Sequence, residues 1–120
     1  MFGNMTNSNT AVKTEMIAEL KDILADDFNT LVDSFVEDAQ RRLRKLKEGI
    51  AASDSDMIRT EAHSLKGSSL NLGAQLLPEL CSQMENKGKS GDLEGCDIMF
   101  LKIESELAQV EAALNFHANR

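Results

Sequence analysis

Aromatic side chains and cysteine are scarce in this sequence of 120 residues. It has no Trp or Tyr and only five Phe, so aliphatic side chains, methionine and alanine must fill any hydrophobic core. Its two cysteines, Cys81 and Cys96, do not form a C-x-x-C pair, and the common zinc and dithiol redox motifs are therefore excluded. Both lie on apolar stripes and are predicted to be buried; a disulfide between them could form, but nothing requires one.

Long apolar runs and an excess of positive charge are also missing. No stretch reaches the ~18 apolar residues that span a bilayer. Residues 1–10 lack the basic and apolar regions of a secretory signal. We therefore expect a cytoplasmic protein with reduced thiols. The formal net charge of −7 argues against binding to nucleic acid or to an anionic membrane surface.

The sequence does contain a helical pattern, because apolar residues recur at spacings of three and four and no stretch alternates with a period of two. We predict a loose polar tail over residues 1–10 and one domain over residues 11–120. The expected fold is all-α, an antiparallel four-helix bundle with a short additional N-terminal helix. The predicted helices cover about 10–24, 27–52, 55–72, 74–86 and 92–116.

Local signals set the predicted ends and faces of these helices. Ser53 or Ser55 could cap the third helix, and Gly73 is suited to end it. The only proline, Pro78, must fall in the first turn of the fourth helix, which leaves the start of that helix open. The segment KGKSGD, residues 87–92, predicts a turn. The inward face of the first helix is predicted to carry Val12, Met16, Leu20 and Ile23.

The third predicted helix gathers an unusual set of residues on one face. Its apolar stripe consists of Ile58, Ala62, Leu65, Ser69 and Leu72. At about 100° per residue, His63, Lys66 and Gly67 fall together on a different face. Arg59 lies one turn before this group and Leu70 about one turn after it. We therefore expect His63 to be at least partly exposed on a rigid helix.

These residue types suit nucleophilic attack on a phosphoryl group that a partner presents. Imidazole is a nucleophile near pH 7, since its pKa in free histidine is ~6.5. Lys66 could stabilise the anion, and Leu70 offers an apolar contact beside it. Gly67 costs its helix ~1 kcal/mol relative to Ala, which either tight helix packing or access for a partner would explain. No base, water or metal is arranged for hydrolysis.

The stretch HSLKGSS, residues 63–69, followed by LGA, resembles the signature of the histidine-containing phosphotransfer (HPt) domain of two-component phosphorelays. The similarity extends to LKDILADDFNTLVDSFVEDAQRRLRKL and to ELCSQMENKGKSGDL, so that it covers most of the chain. The resemblance implies that His63 accepts the phosphoryl group, usually at Nε2. It further implies that Lys66 balances the phosphoryl charge and that Gly67 gives the receiver domain room.

The resemblance also implies a phosphoryl carrier rather than an enzyme, without an ATP site or autokinase activity. The implied partners are response-regulator receiver domains and a hybrid sensor histidine kinase. Magnesium would be held by the receiver, and no cofactor or metal by this chain. Arg59 and Leu70 are the predicted partner-binding residues. We expect a monomer, and the single domain favours a free-standing shuttle.

Two other functions are compatible with parts of the sequence. A non-phosphorylated adaptor of the same fold would bind partners through the surface around Leu70. A metal-binding bundle is disfavoured, since the two histidines are distant and there is no Glu-x-x-His motif. Gln83, Glu85 and Asn86 could border the site but are expected to be surface residues. The basic run from residue 41 to 47 could meet an acidic receiver surface, although a solvated face is favoured.

Overall fold

Residues 11–118 are described by a computed structural model, and they confirm the predicted all-α fold. Within these residues five helices follow one another, with one isolated β-bridge outside them. The helices are α1 (Thr14–Leu24), α2 (Asp27–Ala51), α3 (Ser55–Asn71), α4 (Leu76–Ser90) and α5 (Cys96–His117). Among residues 11–118, no helix has the length and apolar character needed to cross a bilayer. The tail predicted over residues 1–10 lies outside the described residues.

Helices α2 to α5 form the bundle around one hydrophobic core. Helix α3 packs against α2 and α4, and α5 packs against the same two helices, so α3 and α5 lie diagonally across the bundle. Helix α1 packs against α2 and α5. Aliphatic side chains, methionine and three phenylalanines fill the core; the fully buried ones include Phe28, Leu46, Ile58, Leu65, Leu77, Met84, Ile103 and Leu107.

Helix α1 begins later than the sequence predicts. Val12 forms an antiparallel β-bridge with Ala74, and the Lys13 N–H donates to the Gly73 carbonyl at 2.8 Å. These bonds hold the chain extended before Thr14 and tie its start to the α3–α4 connection. The predicted inward face of α1 was also partly wrong. Ile17 is fully buried, whereas Ile23 is 77% exposed.

The turn between α2 and α3 uses a different cap from the two predicted serines. The Asp54 side chain accepts a hydrogen bond from the Met57 N–H at 3.1 Å and satisfies one of the free amides of α3. Ser53 instead takes a left-handed conformation with φ of 54°, which turns the chain before the cap. At the other end of α3, Gly73 has φ of 78° and ends the helix as predicted.

The predicted turn over residues 87–92 was wrong for its first four residues, because α4 continues to Ser90. A Cβ on Gly88 would lie 2.7 Å from the Arg59 backbone nitrogen, so this glycine permits close approach of α4 to α3 inside the helix. Pro78 is the third residue of α4, in the first turn, where its missing N–H breaks no helical bond. Helix α5 begins at Cys96 rather than near residue 92, after Gly95 with φ of 83°.

Candidate functional site

The face of α3 opposite its core stripe projects into solvent. Ile58, Ala62, Leu65 and Ser69 are fully buried, which fixes the rotation of the helix. The His63 side chain is consequently 65% exposed, as predicted. The buried Ser69 hydroxyl donates to the Lys66 carbonyl at 3.0 Å, so its polar atom has a partner within the helix.

A carboxylate from α4 joins two of the predicted site residues. Glu85 Oε2 lies 2.9 Å from His63 Nδ1, and Glu85 Oε1 accepts a hydrogen bond from Lys66 Nζ at 2.8 Å. Lys89 Nζ lies 3.7 Å from the same Oε2, one helical turn further along α4. The Glu85 side chain is only 7% exposed. The imidazole and the ammonium are therefore both held by one buried group.

The charge state of Glu85 determines which nitrogen of His63 carries a proton. The hydrogen bond from Lys66 lowers the pKa of Glu85, burial opposes this change, and the bond to His63 adds to it. The carboxylate is therefore ionised at neutral pH and can only accept hydrogen bonds. Nδ1 of His63 must be the donor, and in a neutral ring the lone pair then resides on Nε2. The exposed side chain makes that nitrogen accessible to a partner.

Lys66 is held in place more firmly than an ordinary surface lysine. Its side chain is 28% exposed, and its Nζ bonds to the buried Glu85 carboxylate. Because an ammonium has three N–H donors, this bond leaves two for another acceptor. Lys66 can therefore neutralise a further anion near His63 without leaving Glu85.

The surroundings of Gly67 decide between tight helix packing and access for a partner as the reason for a glycine in this helix. An added Cβ at Gly67 would meet nothing within 4 Å. Tight helix packing inside the described chain therefore does not require glycine here. The residue is exposed one turn after His63, and its missing side chain leaves the surface beside the imidazole open.

Arg59 and Leu70 mark the two ends of the same exposed face. Arg59 is 44% exposed and lies 3.7 Å from Asp56 in an i,i+3 ion pair, so its guanidinium is not part of the Glu85 cluster. Leu70 is 51% exposed. The structure thus brings His63 and Lys66 into direct contact with one group, while Arg59 and Leu70 remain at the periphery.

Glu85 and Lys89 belong to the site, although the sequence predicts Glu85 at the surface and Lys89 in a turn. Glu85 was expected to be a surface residue together with Gln83 and Asn86; those two are exposed, but Glu85 is buried. Lys89 fell within the wrongly predicted turn. A usable signal was present, since Glu85 immediately follows the buried Met84 and therefore lies at the edge of the core stripe of α4.

The described residues include neither a cluster of metal ligands nor an exposed cysteine thiol. Among residues 11–118, no group of three or more His, Cys, Asp or Glu side chains could hold a metal ion. Cys81 and Cys96 are free and buried, which confirms that they act as small core residues. Burial raises the pKa of Cys81 to about 12. His117 lies in the last turn of α5, in edge contact with Phe116.

The chain is similar to one protein family and to two solved structures. The family model of the Hpt domain matches residues 30–113. The crystal structure of histidine-containing phosphotransfer protein B (HptB) from Pseudomonas aeruginosa PAO1 is 32% identical, with a TM-score of 0.86 over 92% of this chain and 96% of that one. A candidate histidine-containing phosphotransfer protein from rice, 20% identical, shares the fold with a TM-score of 0.74 over 97% and 87%. No curated protein sequence matches the chain.

Proposed function

The chain belongs to the Hpt domain family, and we propose that His63 carries a phosphoryl group between receiver domains of a phosphorelay. The observation that supports this most directly is the 2.9 Å contact between His63 Nδ1 and the buried Glu85. It places the lone pair of the neutral ring on Nε2, which is the nitrogen that the family resemblance assigns to phosphorylation.

The proposed step is a direct transfer from an acyl phosphate on a receiver aspartate. The Nε2 lone pair of His63 attacks phosphorus, the N–P bond forms, and the P–O bond to the aspartate breaks so that a carboxylate leaves. No proton has to move, because Nδ1 keeps its hydrogen. Positive charge develops on the ring as the bond forms, and the ionised Glu85 carboxylate stabilises it across the Nδ1 hydrogen bond.

Lys66 supplies the positive charge for the phosphoryl oxygens in this proposal. Its ammonium keeps one bond to Glu85 and uses its free donors on the incoming group. Lys89, 3.7 Å from Glu85, lies close enough to compensate the carboxylate when Lys66 shares its charge. Transfer of this kind depends on positioning and charge stabilisation rather than on covalent help from further residues.

The receiver would dock over the exposed face of α3. Open space at Gly67 admits its surface beside the imidazole, Leu70 offers an apolar contact, and Arg59 is available at the other end of the face. We propose that Mg²⁺ is bound by the receiver's own carboxylates and is needed for the reaction there.

The wider role follows from the same proposal. The partners are response-regulator receiver domains and the receiver of a hybrid sensor histidine kinase. The chain itself acts as a monomeric phosphoryl carrier in the cytoplasm, without autokinase activity. Incubation with ATP alone tests the last point and should leave His63 unlabelled.

A transfer assay tests the proposal itself. The purified chain and the His63→Gln variant are each mixed with a panel of phosphorylated receiver domains and Mg²⁺, and the label is followed. We expect an acid-labile, base-stable label on the unmodified chain only, with receiver binding retained by both proteins. Binding by both without any label would refute the carrier and support the adaptor instead.

A further inference from the structure

The bundle carries an open apolar groove between α4 and α5, of about 410 Å³. None of its lining residues comes from α3, the helix that carries His63. The groove is therefore separate from the face described above. Its lining includes Leu76 and Leu80 from α4, and Ile98, Leu101 and Glu106 from α5.

Exposed hydrophobic side chains are concentrated at this groove. Six large hydrophobic residues are exposed among residues 11–118, and three of them line it: Leu76 at 47%, Ile98 at 63% and Leu101 at 60%. Scattered exposed leucines need no explanation, but a contiguous apolar group indicates an interaction surface. Leu101 also borders a second groove, between α2 and α5, so apolar surface continues on both sides of it.

The spacing of the lining residues favours a helical partner. On α5 the groove residues are Ile98, Leu101, Lys102, Ser105 and Glu106, which recur at intervals of three and four residues. Two neighbouring antiparallel helices with such a stripe form the groove into which an amphipathic helix lays its apolar face.

Glu106 is the acidic side chain in the lining of this groove. Among the described residues it has no hydrogen-bond or ion-pair partner, and burial raises the pKa of its carboxyl group. Lys102 lies one turn earlier in the same groove but does not pair with it. A carboxylate partly removed from water beside apolar side chains is costly unless a cation accompanies it. Binding of a basic side chain would remove this cost.

We infer that the α4–α5 groove binds an amphipathic helix of a partner protein, whose apolar side chains cover Ile98 and Leu101 and whose Lys or Arg pairs with Glu106. A second copy of this chain fits less well. The net charge of −7 and the acidic Asp97 and Glu104 on the neighbouring α2–α5 groove would repel an identical surface. The inference is independent of phosphorylation at His63, because none of the groove's lining residues belongs to the His63 site.

The probes for a binding test are synthetic helical peptides of about 15 residues. Each has leucines at i, i+3, i+4 and i+7 on one face, and a single boundary lysine is moved along the face from one peptide to the next. A shuffled peptide of the same composition has no apolar face. Affinities are measured by isothermal titration calorimetry at physiological salt, where purely electrostatic binding is weak.

Three variants and one matched control locate the site. Ile98→Ser and Leu101→Ser remove apolar contacts and should each weaken binding about tenfold. Glu106→Gln should weaken binding about fivefold and remove the preference for one lysine position. Ile23→Ser changes an isoleucine on α1 that is 77% exposed, against 63% for Ile98, and should leave binding unchanged. None of these variants touches the α3 face, so phosphotransfer should stay within about twofold of the unmodified chain.

Several results would overturn the inference. They are equal binding of the shuffled peptide, equal binding by all variants, or no binding by any peptide in the series. Amide chemical shifts that move on α3 instead of α4 and α5 would also contradict it. If sedimentation shows a dimer that Leu101→Ser dissociates, a second copy occupies the groove and the helical partner is wrong. Loss of peptide binding with normal phosphotransfer separates this proposal from the function of His63.

Discussion

Two glycines within helices should respond to the same substitution with opposite signs. At Gly88, an added Cβ would lie 2.7 Å from the Arg59 nitrogen, 2.8 Å from the Ser55 carbonyl oxygen and 2.9 Å from the Arg59 Cα. These are backbone atoms, so they cannot relieve the clash by a change of rotamer, as a flexible side chain could. At Gly67, an added Cβ would meet nothing within 4 Å. Gly88→Ala therefore forces α3 and α4 apart, whereas Gly67→Ala does not.

The magnitude for Gly88→Ala follows from two opposing contributions. Ordinary carbon contacts begin near 3.5 Å, so the helices must separate locally by about 0.7 Å. Such overpacking costs about 3 kcal/mol, and the better helix propensity of alanine returns about 1 kcal/mol. We expect a net loss of about 2 kcal/mol and a fall in Tm of about 8 °C. Gly67→Ala should gain up to about 1 kcal/mol and raise Tm by about 4 °C.

Gly88→Ala should also change the geometry around His63. Glu85 lies three residues before Gly88 on α4, so separation of the helices lengthens its 2.9 Å contact with His63. Phosphotransfer to Gly88→Ala should therefore fall about tenfold. Thermal and urea unfolding followed by circular dichroism give the stabilities, and a receiver assay gives the rate. A Gly88→Ala variant as stable as the unmodified chain, or a destabilised Gly67→Ala variant, would contradict the close approach at Gly88 and the open space at Gly67.

Three further predictions concern Glu85 and the buried thiols. Glu85→Gln removes the charge that stabilises the developing imidazolium, so stopped-flow transfer should slow about tenfold; an unchanged rate would exclude this role. Because Lys66 lowers the pKa of Glu85 in the folded state, ionised Glu85 stabilises the fold above its ordinary pKa of 4.5, and this contribution is lost as the pH falls through the lower folded value. Urea titrations should then show a weaker acid dependence for Glu85→Gln than for the unmodified chain, and identical slopes would contradict the assignment. Burial raises the pKa of Cys81 to about 12, so a thiol reagent should modify Cys81 and Cys96 only as fast as the protein unfolds. Rapid labelling of the native protein would show that these thiols are not buried.

Local periodicity was sufficient to predict the exposed face of α3. A helix turns by about 100° per residue, so a core stripe at Ile58, Ala62 and Leu65 fixes where His63 must point. The helix count and the burial of both cysteines follow from the same spacing rules. These features depend on the spacing of residues within one helix, so they can be predicted from the sequence alone.

Features that depend on two helices were not predictable in this way. The site carboxylate Glu85 is buried only because α4 approaches α3 closely, and that approach rests on Gly88, which the sequence alone presents as a turn residue. Likewise, the sequence pattern predicts that α1 starts near residue 10, but the β-bridge between Val12 and Ala74 keeps this segment extended. In each case a tertiary contact overrides a local signal of comparable strength.

The hydrogen bond between His63 Nδ1 and Glu85 has a consequence for the direction of signalling. With this bond in place, the proposed transfer neither takes up nor releases a proton, so the forward and backward reactions use the same protonation state. Both directions also pass through the same transition state, so the site accelerates transfer onto His63 and transfer away from it by the same factor. The domain would set how fast phosphate equilibrates among receivers, while the abundance of each receiver and the stability of its aspartyl phosphate would determine where the phosphate accumulates.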